Sequence, residues 1–240
     1  MKRREIKAIL FDSGRVLNSP ATGHWFITPN FWKYVDKEKF DSLDSKKISA
    51  AFREAERHIS AQKTILTKEA EYESFVDFYQ KFANCVPELE IGQVEVEALA
   101  DEIVNNPKKY VFYADALKEI PELKDKYKLA VVSDAWPSLK DVFAEQGLEK
   151  YFDSFVISSI IGETKPHEKM YVTALEDLKV LPEEAVFIDD NLKNCQGAMN
   201  LGIKAILLCR NKWLFLLNKV RSIGKGYRVI RTLEDLEKML

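Results

Sequence analysis

Cysteine is scarce in this chain. There are three, Cys85, Cys195 and Cys209. The number is odd and no two form a C-x-x-C pair, so neither a disulfide framework nor a thiolate zinc site is indicated. A reducing cytoplasm is the expected setting. Glycine (9) and proline (8) are also few, and no tract is compositionally biased, which argues against long disorder. No apolar run approaches membrane-spanning length. The opening MKRREIKAIL is basic, but its apolar stretch, Ala8 to Phe11, is too short for a signal peptide. Neither sign of charge dominates: 36 Lys and Arg against 38 Asp and Glu give a net −2. No bias toward nucleic acid or anionic membrane follows, and neither is an expected partner. The oligomeric state is left open.

What is present is a chain of 240 residues, 46% hydrophobic and 31% charged, enough for a globular core and a second small module. Ala8-Ile-Leu-Phe11 is a continuous apolar run closed by Asp12, Ser13 and Gly14, with Gly14 expected to supply the turn. Such runs read as buried strands of a parallel sheet. Asn18 to Thr28 reads as a loop. Pro29 is expected to open a helix capped by Thr28. From there to about Asn106 the pattern is helical. Ile48, Phe52, Ala55 and Ile59 make one face, Tyr72 to Ala83 a second, and Val94, Leu99 and Ile103 a third.

From Ala114 the pattern alternates. A helix is expected to run to Pro121 and restart there. Leu129–Val132, Phe155–Ile157, Ala185–Ile188 and Ala205–Leu208 read as further strands with helices between them, and Arg228–Ile230 as one more. Thr232 is expected to cap a helix from Leu233 to Leu240. This alternation predicts an α/β fold, a Rossmann-like doubly wound parallel sheet with an inserted α-helical cap. The expected boundaries are 1–18 and 107–240 for the core and 19–106 for the cap. Trp213–Leu217 is read as core, because no basic amphipathic pattern is evident there to suggest a membrane surface. Trp25, Phe26, Phe31 and Trp32 are read as cap packing and His58 as surface.

Four strand ends carry polar residues: Asp12, Ser133, the loop holding Lys165, and Asp189-Asp190. A doubly wound sheet gathers such ends at one crevice. Carboxylates gathered there repel one another unless a cation is present. Mg²⁺ suits the oxygen donors, with Asp12 and Asp190 as expected ligands and the Gly14 carbonyl as a third. The metal would let Asp12 attack phosphorus and form an aspartyl-phosphate. Ser133 would donate to a phosphoryl oxygen, and Lys165 would place its charge on the transferring group and hold Asp12 ionised. Asp134, Arg15 and His24 complete the expected substrate surroundings. Asn191 and Asn194 are read as capping or supporting residues.

FDSGRVL, VVSD, GETKP and VFIDDN, in this order and each after a strand, resemble the four motifs of the haloacid dehalogenase-like (HAD) hydrolases. The resemblance covers Lys7 to about Leu208, and the helical block lies where that family inserts its cap. It implies Asp12 as nucleophile, Ser133 and Lys165 as phosphate ligands, and Asp189 and Asp190 as the magnesium acids. The implied function is a Mg²⁺-dependent phosphatase acting on a small phosphorylated metabolite. The chain departs from the phosphatases of the family at Gly14, where they usually carry the Asp that protonates the leaving group. It also has Asp134 where Asn is common. Three consequences are open: a leaving group that needs no proton, such as an acyl phosphate; replacement of the acid by His24 or His167; or a weakly catalytic phospholigand-binding protein. A metal-independent haloacid dehalogenase is a further alternative, and the Asp189-Asp190 pair weighs against it.

Overall fold

The computed structural model describes residues 5–62, 64–236 and 239. Its strands are β1 (Ala8–Phe11), β2 (Asn18–Pro20), β3 (Tyr110–Phe112), β4 (Lys128–Ser133), β5 (Ser154–Ile157), β6 (Ala185–Asp189), β7 (Lys204–Leu208) and β8 (Tyr227–Ile230). Its α-helices are α1 (Lys37–Ser42), α2 (Ser45–Ser60), α3 (Lys68–Cys85), α4 (Gln93–Asn105), α5 (Ala114–Lys124), α6 (Leu139–Glu145), α7 (Ser158–Ile161), α8 (Glu168–Leu178), α9 (Leu192–Asn200) and α10 (Lys212–Arg221).

The residues cluster into two units. One comprises Met1–Ser19, Phe112–Ala135 and Gln146–Leu240, the other Pro20–Val111 and Trp136–Glu145. The first holds a six-stranded sheet in the order β5-β4-β1-β6-β7-β8, parallel throughout. This α/β sheet is doubly wound: strand order runs one way from β1 through β4 to β5 and the other way from β6 to β8. Its central strands are apolar on both faces because both faces are covered. Ala8 and Leu10 pack with Ala130, Val132, Phe187 and the α8 residues Met170, Tyr171 and Ala174, while Ile9 and Phe11 are equally inaccessible on the other face.

The second unit is helical around a core built from α2, α3 and α4. It includes Phe26, Phe31, Phe52, Phe75, Phe78 and Phe82. A buried polar cluster of Glu71, Lys109 and Ser138 stands in it. Lys109 Nζ donates to the Ile103 carbonyl (2.5 Å) and to Ser138 Oγ (2.6 Å), and the Ser138 N–H donates to Glu71 Oε2 (2.7 Å). These bonds fasten the stretch Trp136–Glu145, which sequence pattern places with the sheet.

Several local expectations fail for identifiable reasons. Pro29 does not open a helix. The chain makes a 3₁₀ turn at Phe31–Lys33, and the first α-helix starts at Lys37, where Asp36 accepts from the Glu38 and Lys39 amides. The Thr28 hydroxyl is buried and has no hydrogen-bond partner among the described residues. Asn18–Pro20 is a short strand rather than loop, paired with the unforeseen Tyr110–Phe112; strands of three residues are too short to show a period. Pro121 neither ends nor interrupts α5. The carbonyl its missing N–H would have met belongs to Leu117, on an exposed turn. Val94 is exposed; Val96 takes the buried place with Leu99 and Ile103. The tail shows only a 3₁₀ turn, Leu233–Asp235; residues 237, 238 and 240 of the expected helix lie outside the described residues. Trp213–Leu217 is not core: α10 has no buried residue. A run that is apolar all round carries no sign of which side faces in.

Candidate active site

The sheet order reverses between β1 and β6, and the ends of these two strands form the crevice where open α/β sheets hold ligands. Asp12 follows β1 directly, and its N–H donates to the Ile188 carbonyl of β6 (2.9 Å). Asp189 is the last residue of β6. Lys165 reaches both carboxylates: its Nζ donates to Asp12 Oδ1 at 2.5 Å and to Asp189 Oδ2 at 3.1 Å. All three are buried. The Phe187 ring lies 5.7 Å from the ammonium.

Asp189 is held from its other side. Its Oδ1 accepts from the Asn191 N–H (2.7 Å) and its Oδ2 from Asn194 Nδ2 (3.0 Å). The Asn191 side chain caps α9 by accepting from the Lys193 N–H (3.0 Å). Both asparagines thus support Asp189. Asp190 is half-buried, and Arg15 stands 3.9 Å from its Oδ2. Carboxylate oxygens of Asp12, Asp189 and Asp190 all lie within 4.8 Å of one another. Ser133, 4% exposed, ends β4 beside β1.

The electrostatics follow from this crowding. Burial works against the Asp12 carboxylate and lifts its pKa to about 7 despite Lys165, with Asp189 and Asp190 pushing the same way. Asp190 is raised for the same reasons, burial first and Asp189 next. Burial opposes the Lys165 charge, but Asp12, Asp189 and Asp134 outweigh it and hold its pKa above the usual lysine value. One ammonium among three carboxylates leaves negative charge uncompensated. A hard divalent cation fits that donor set: oxygen ligands only, in a buried anionic cleft.

Two expected substrate residues have other partners. Asp134 Oδ1 accepts from the Lys165 backbone N–H (2.9 Å) and so fixes the lysine loop. Arg15 faces Asp190, and the left-handed residue of the turn is Arg15 (φ +60°) rather than Gly14. Gly14 instead bridges to Asn18, whose Nδ2 donates to Ser13 Oγ (2.8 Å). His24 belongs to the helical unit. Its ring lies 4.5 Å from that of Phe52, its Nδ1 accepts from the Phe26 N–H (3.3 Å), and burial lowers its pKa. His167 is the N-cap of α8, with Nδ1 accepting from Lys169 N–H (3.3 Å) and Nε2 4.0 Å from Glu163.

Two supporting residues have no motif to betray them. Arg210, just after β7, donates to the carbonyls of Arg15 (3.2 Å) and Val16 (2.6 Å). It is held by Asp115 at 3.0 Å and lies over the Tyr113 ring at 3.6 Å, so it fixes the loop after Asp12. Gly197 lies inside α9 against Pro166. A glycine in a helix interior costs about 1 kcal/mol relative to alanine, and this is the one signal sequence offered.

The profile of the haloacid dehalogenase-like hydrolase family matches residues 34–208, a stretch that begins after Asp12. A curated relative, a glyceraldehyde 3-phosphate phosphatase of Methanopyrus kandleri, is 32% identical over 108 residues, which are 42% of this chain and 45% of the relative. The chain thus spans less than half the length of that relative. Among solved structures, a HAD phosphatase from Thermococcus onnurineus superposes with a TM-score of 0.62 at 24% identity, covering 98% of this chain and 97% of that one. An L-2-haloacid dehalogenase from Xanthobacter autotrophicus gives 0.65 at 19%, covering 98% of each. At these identities the two structures establish a common fold.

Proposed function

The chain belongs to the haloacid dehalogenase-like hydrolase family, and from that premise we propose that it is a Mg²⁺-dependent phosphatase of small phosphorylated compounds, working through an aspartyl-phosphate on Asp12. The observation that carries the reading is the group of buried Asp12, buried Asp189 and half-buried Asp190, with the ammonium of Lys165 on the first two. The phosphatase name of the 32%-identical relative supports the substrate class.

Asp12, Asp190 and the Gly14 carbonyl would hold the cation, with Asp189 behind them. Bound there, Mg²⁺ would offset the repulsion between the carboxylates and a phosphate dianion. Lys165 opposes the burial that favours protonated Asp12, and the cation would add to its pull toward the carboxylate. A carboxylate oxygen of Asp12 forms the new bond to phosphorus while the leaving oxygen departs with its electron pair. Ser133 donates to a phosphoryl oxygen as negative charge shifts, and Lys165 sets its charge against the same group. Water then hydrolyses the aspartyl-phosphate and frees Asp12 and inorganic phosphate. Gly14 has no side chain to protonate the leaving oxygen, so substrates with good leaving groups, acyl phosphates among them, suit the site best. The helical unit is the proposed cap, which would exclude water and select the substrate.

The test is a panel of phosphate esters and acyl phosphates assayed with Mg²⁺ and with EDTA, with trapping of Asp12 by beryllofluoride. Phosphate release that needs the cation and disappears in Asp12→Asn is expected. Wild-type activity in Asp12→Asn overturns the mechanism. Haloacid turnover that survives EDTA makes the protein a dehalogenase, and tight phospholigand binding with no product over hours makes it a binding protein.

A further inference from the structure

α10 carries its apolar residues on the outside. Its inward side is Phe215, packed beside Leu207, Tyr227 and Val229, and Asn218, whose Nδ2 donates to Cys209 Sγ (3.4 Å). At about 100° per residue, the opposite face carries Trp213, Leu216, Leu217 and Val220. These are 76%, 45%, 45% and 68% exposed. Ile223, just past the helix, is 77% exposed. Exposed Lys212 and Lys219 flank this ridge on one side and exposed Arg221 on the other. From Cys209 to Leu233 the chain has seven Lys or Arg and no Asp or Glu, although its net charge is −2. Contiguous exposed apolar surface rimmed by charge marks an interaction site.

We propose that α10 is a peripheral membrane anchor. It lies flat on an anionic bilayer with the Trp213–Val220 ridge at the headgroup–acyl boundary and Lys212, Lys219 and Arg221 on the lipid phosphates. The charge pattern selects this occupant. A second copy docked face to face would bring the same cations against one another. A nucleic-acid strand would leave the aliphatic ridge uncovered. An anionic bilayer satisfies both parts together. No described helix is long and apolar enough to cross a membrane, so the contact is a surface one. The inference is independent of the phosphatase reading.

Flotation of the full chain with vesicles tests it. Phosphatidylcholine vesicles containing about one-third phosphatidylglycerol should carry the protein, and pure phosphatidylcholine vesicles or high salt should release it. Brominated acyl chains should quench part of the tryptophan emission, and Trp213→Phe should remove that quenching although Trp25, Trp32 and Trp136 remain. The Lys212→Glu/Lys219→Glu/Arg221→Glu variant should lower partitioning by about a hundredfold, and Leu216→Glu/Val220→Glu should abolish it. These side chains are exposed, so the melting temperature of each variant should stay near that of wild type, which separates lost docking from lost folding. Absence of binding to the anionic vesicles, or binding that the variants leave unchanged, overturns the proposal. So does a dimer in sedimentation that Leu216→Glu/Val220→Glu dissociates.

Discussion

Gly197 and Pro166 approach so closely that no side chain fits between them. A β-carbon at Gly197 would lie 2.6 Å from Pro166 Cβ, 2.9 Å from its carbonyl oxygen and 3.1 Å from the Tyr171 hydroxyl. The Tyr171 hydroxyl already donates to the Asn194 carbonyl at 2.8 Å, so it has little room to yield. Gly197→Ala therefore pits a helix-propensity gain of about 1 kcal/mol against overpacking of about 1–3 kcal/mol. The strain falls on the residue next to Lys165. A displacement of this kind is expected to lower kcat by about tenfold to a hundredfold. Thermal melts and steady-state kinetics on the best substrate of the panel check it; an alanine variant with full kcat and a raised melting temperature would contradict the contact.

Asp12→Asn should stabilise the cation-free protein. Burial raises the Asp12 pKa from the ordinary 3.8 to about 7, so the folded chain holds the proton more tightly than the unfolded one. The stability tied to that proton is complete below about pH 4 and is lost as pH rises through 7. Asparagine keeps an oxygen for Lys165 and carries no charge. In EDTA the variant should exceed wild type by on the order of 4 kcal/mol at pH 8, with the gain shrinking toward pH 4. Adding Mg²⁺ should raise the melting temperature of wild type more than that of the variant. A variant less stable than wild type at pH 8 in EDTA would refute this account.

The sheet was legible because its strands are uniform apolar runs, as in Ala8–Phe11 and Ala185–Ile188, each closed by a polar residue. The same order that made the sheet readable also gathered Asp12, Lys165 and Asp189, since strand ends converge whatever their separation in the chain. What was illegible is contact of another kind. Asp134 reads as a free charge until its bond to the Lys165 amide is seen. Arg210 reads as an ordinary surface cation until it meets the carbonyls of Arg15 and Val16. The residues Trp136–Glu145 follow a strand by pattern, but their place with the helical unit is decided by Glu71, Ser138 and Lys109, which stand far apart in sequence.

That same buried group predicts a pH effect away from the active site. Burial lowers the Lys109 pKa from 10.5 to about 8, against the opposing pull of Glu71. Burial also raises the Glu71 pKa, Lys109 opposing it. For the lysine, the unfolded chain binds the proton more tightly, so stability is lowest below about pH 8 and recovers up to about 10.5. Lys109→Met fills the same space without charge, and Glu71 keeps its two bonds from Ser138. Its advantage over wild type should be largest below pH 8 and vanish near 10.5. Urea unfolding of both proteins across this range measures it, and parallel curves would exclude the buried charge as the cause.

Gly14→Asp is expected to add a proton donor. The backbone there has no left-handed strain to forbid a side chain, because Arg15 takes the positive φ of the turn. Asn18, the bridge partner of Gly14, is fully buried and its Nδ2 already donates to Ser13 Oγ. A general acid is worth about 10²–10⁴ in rate when the leaving group is a poor one, and little when it is good. In wild type, kcat/KM should therefore fall steeply from acyl and aryl phosphates to alkyl phosphates. In Gly14→Asp the alkyl rates should rise by at least about tenfold while the acyl and aryl rates stay nearly constant. A uniform change across all leaving groups would mean that the aspartate alters binding and transfers no proton. A flat wild-type profile would mean that another residue already supplies that proton, and His24→Ala and His167→Ala would then show which, by steepening it.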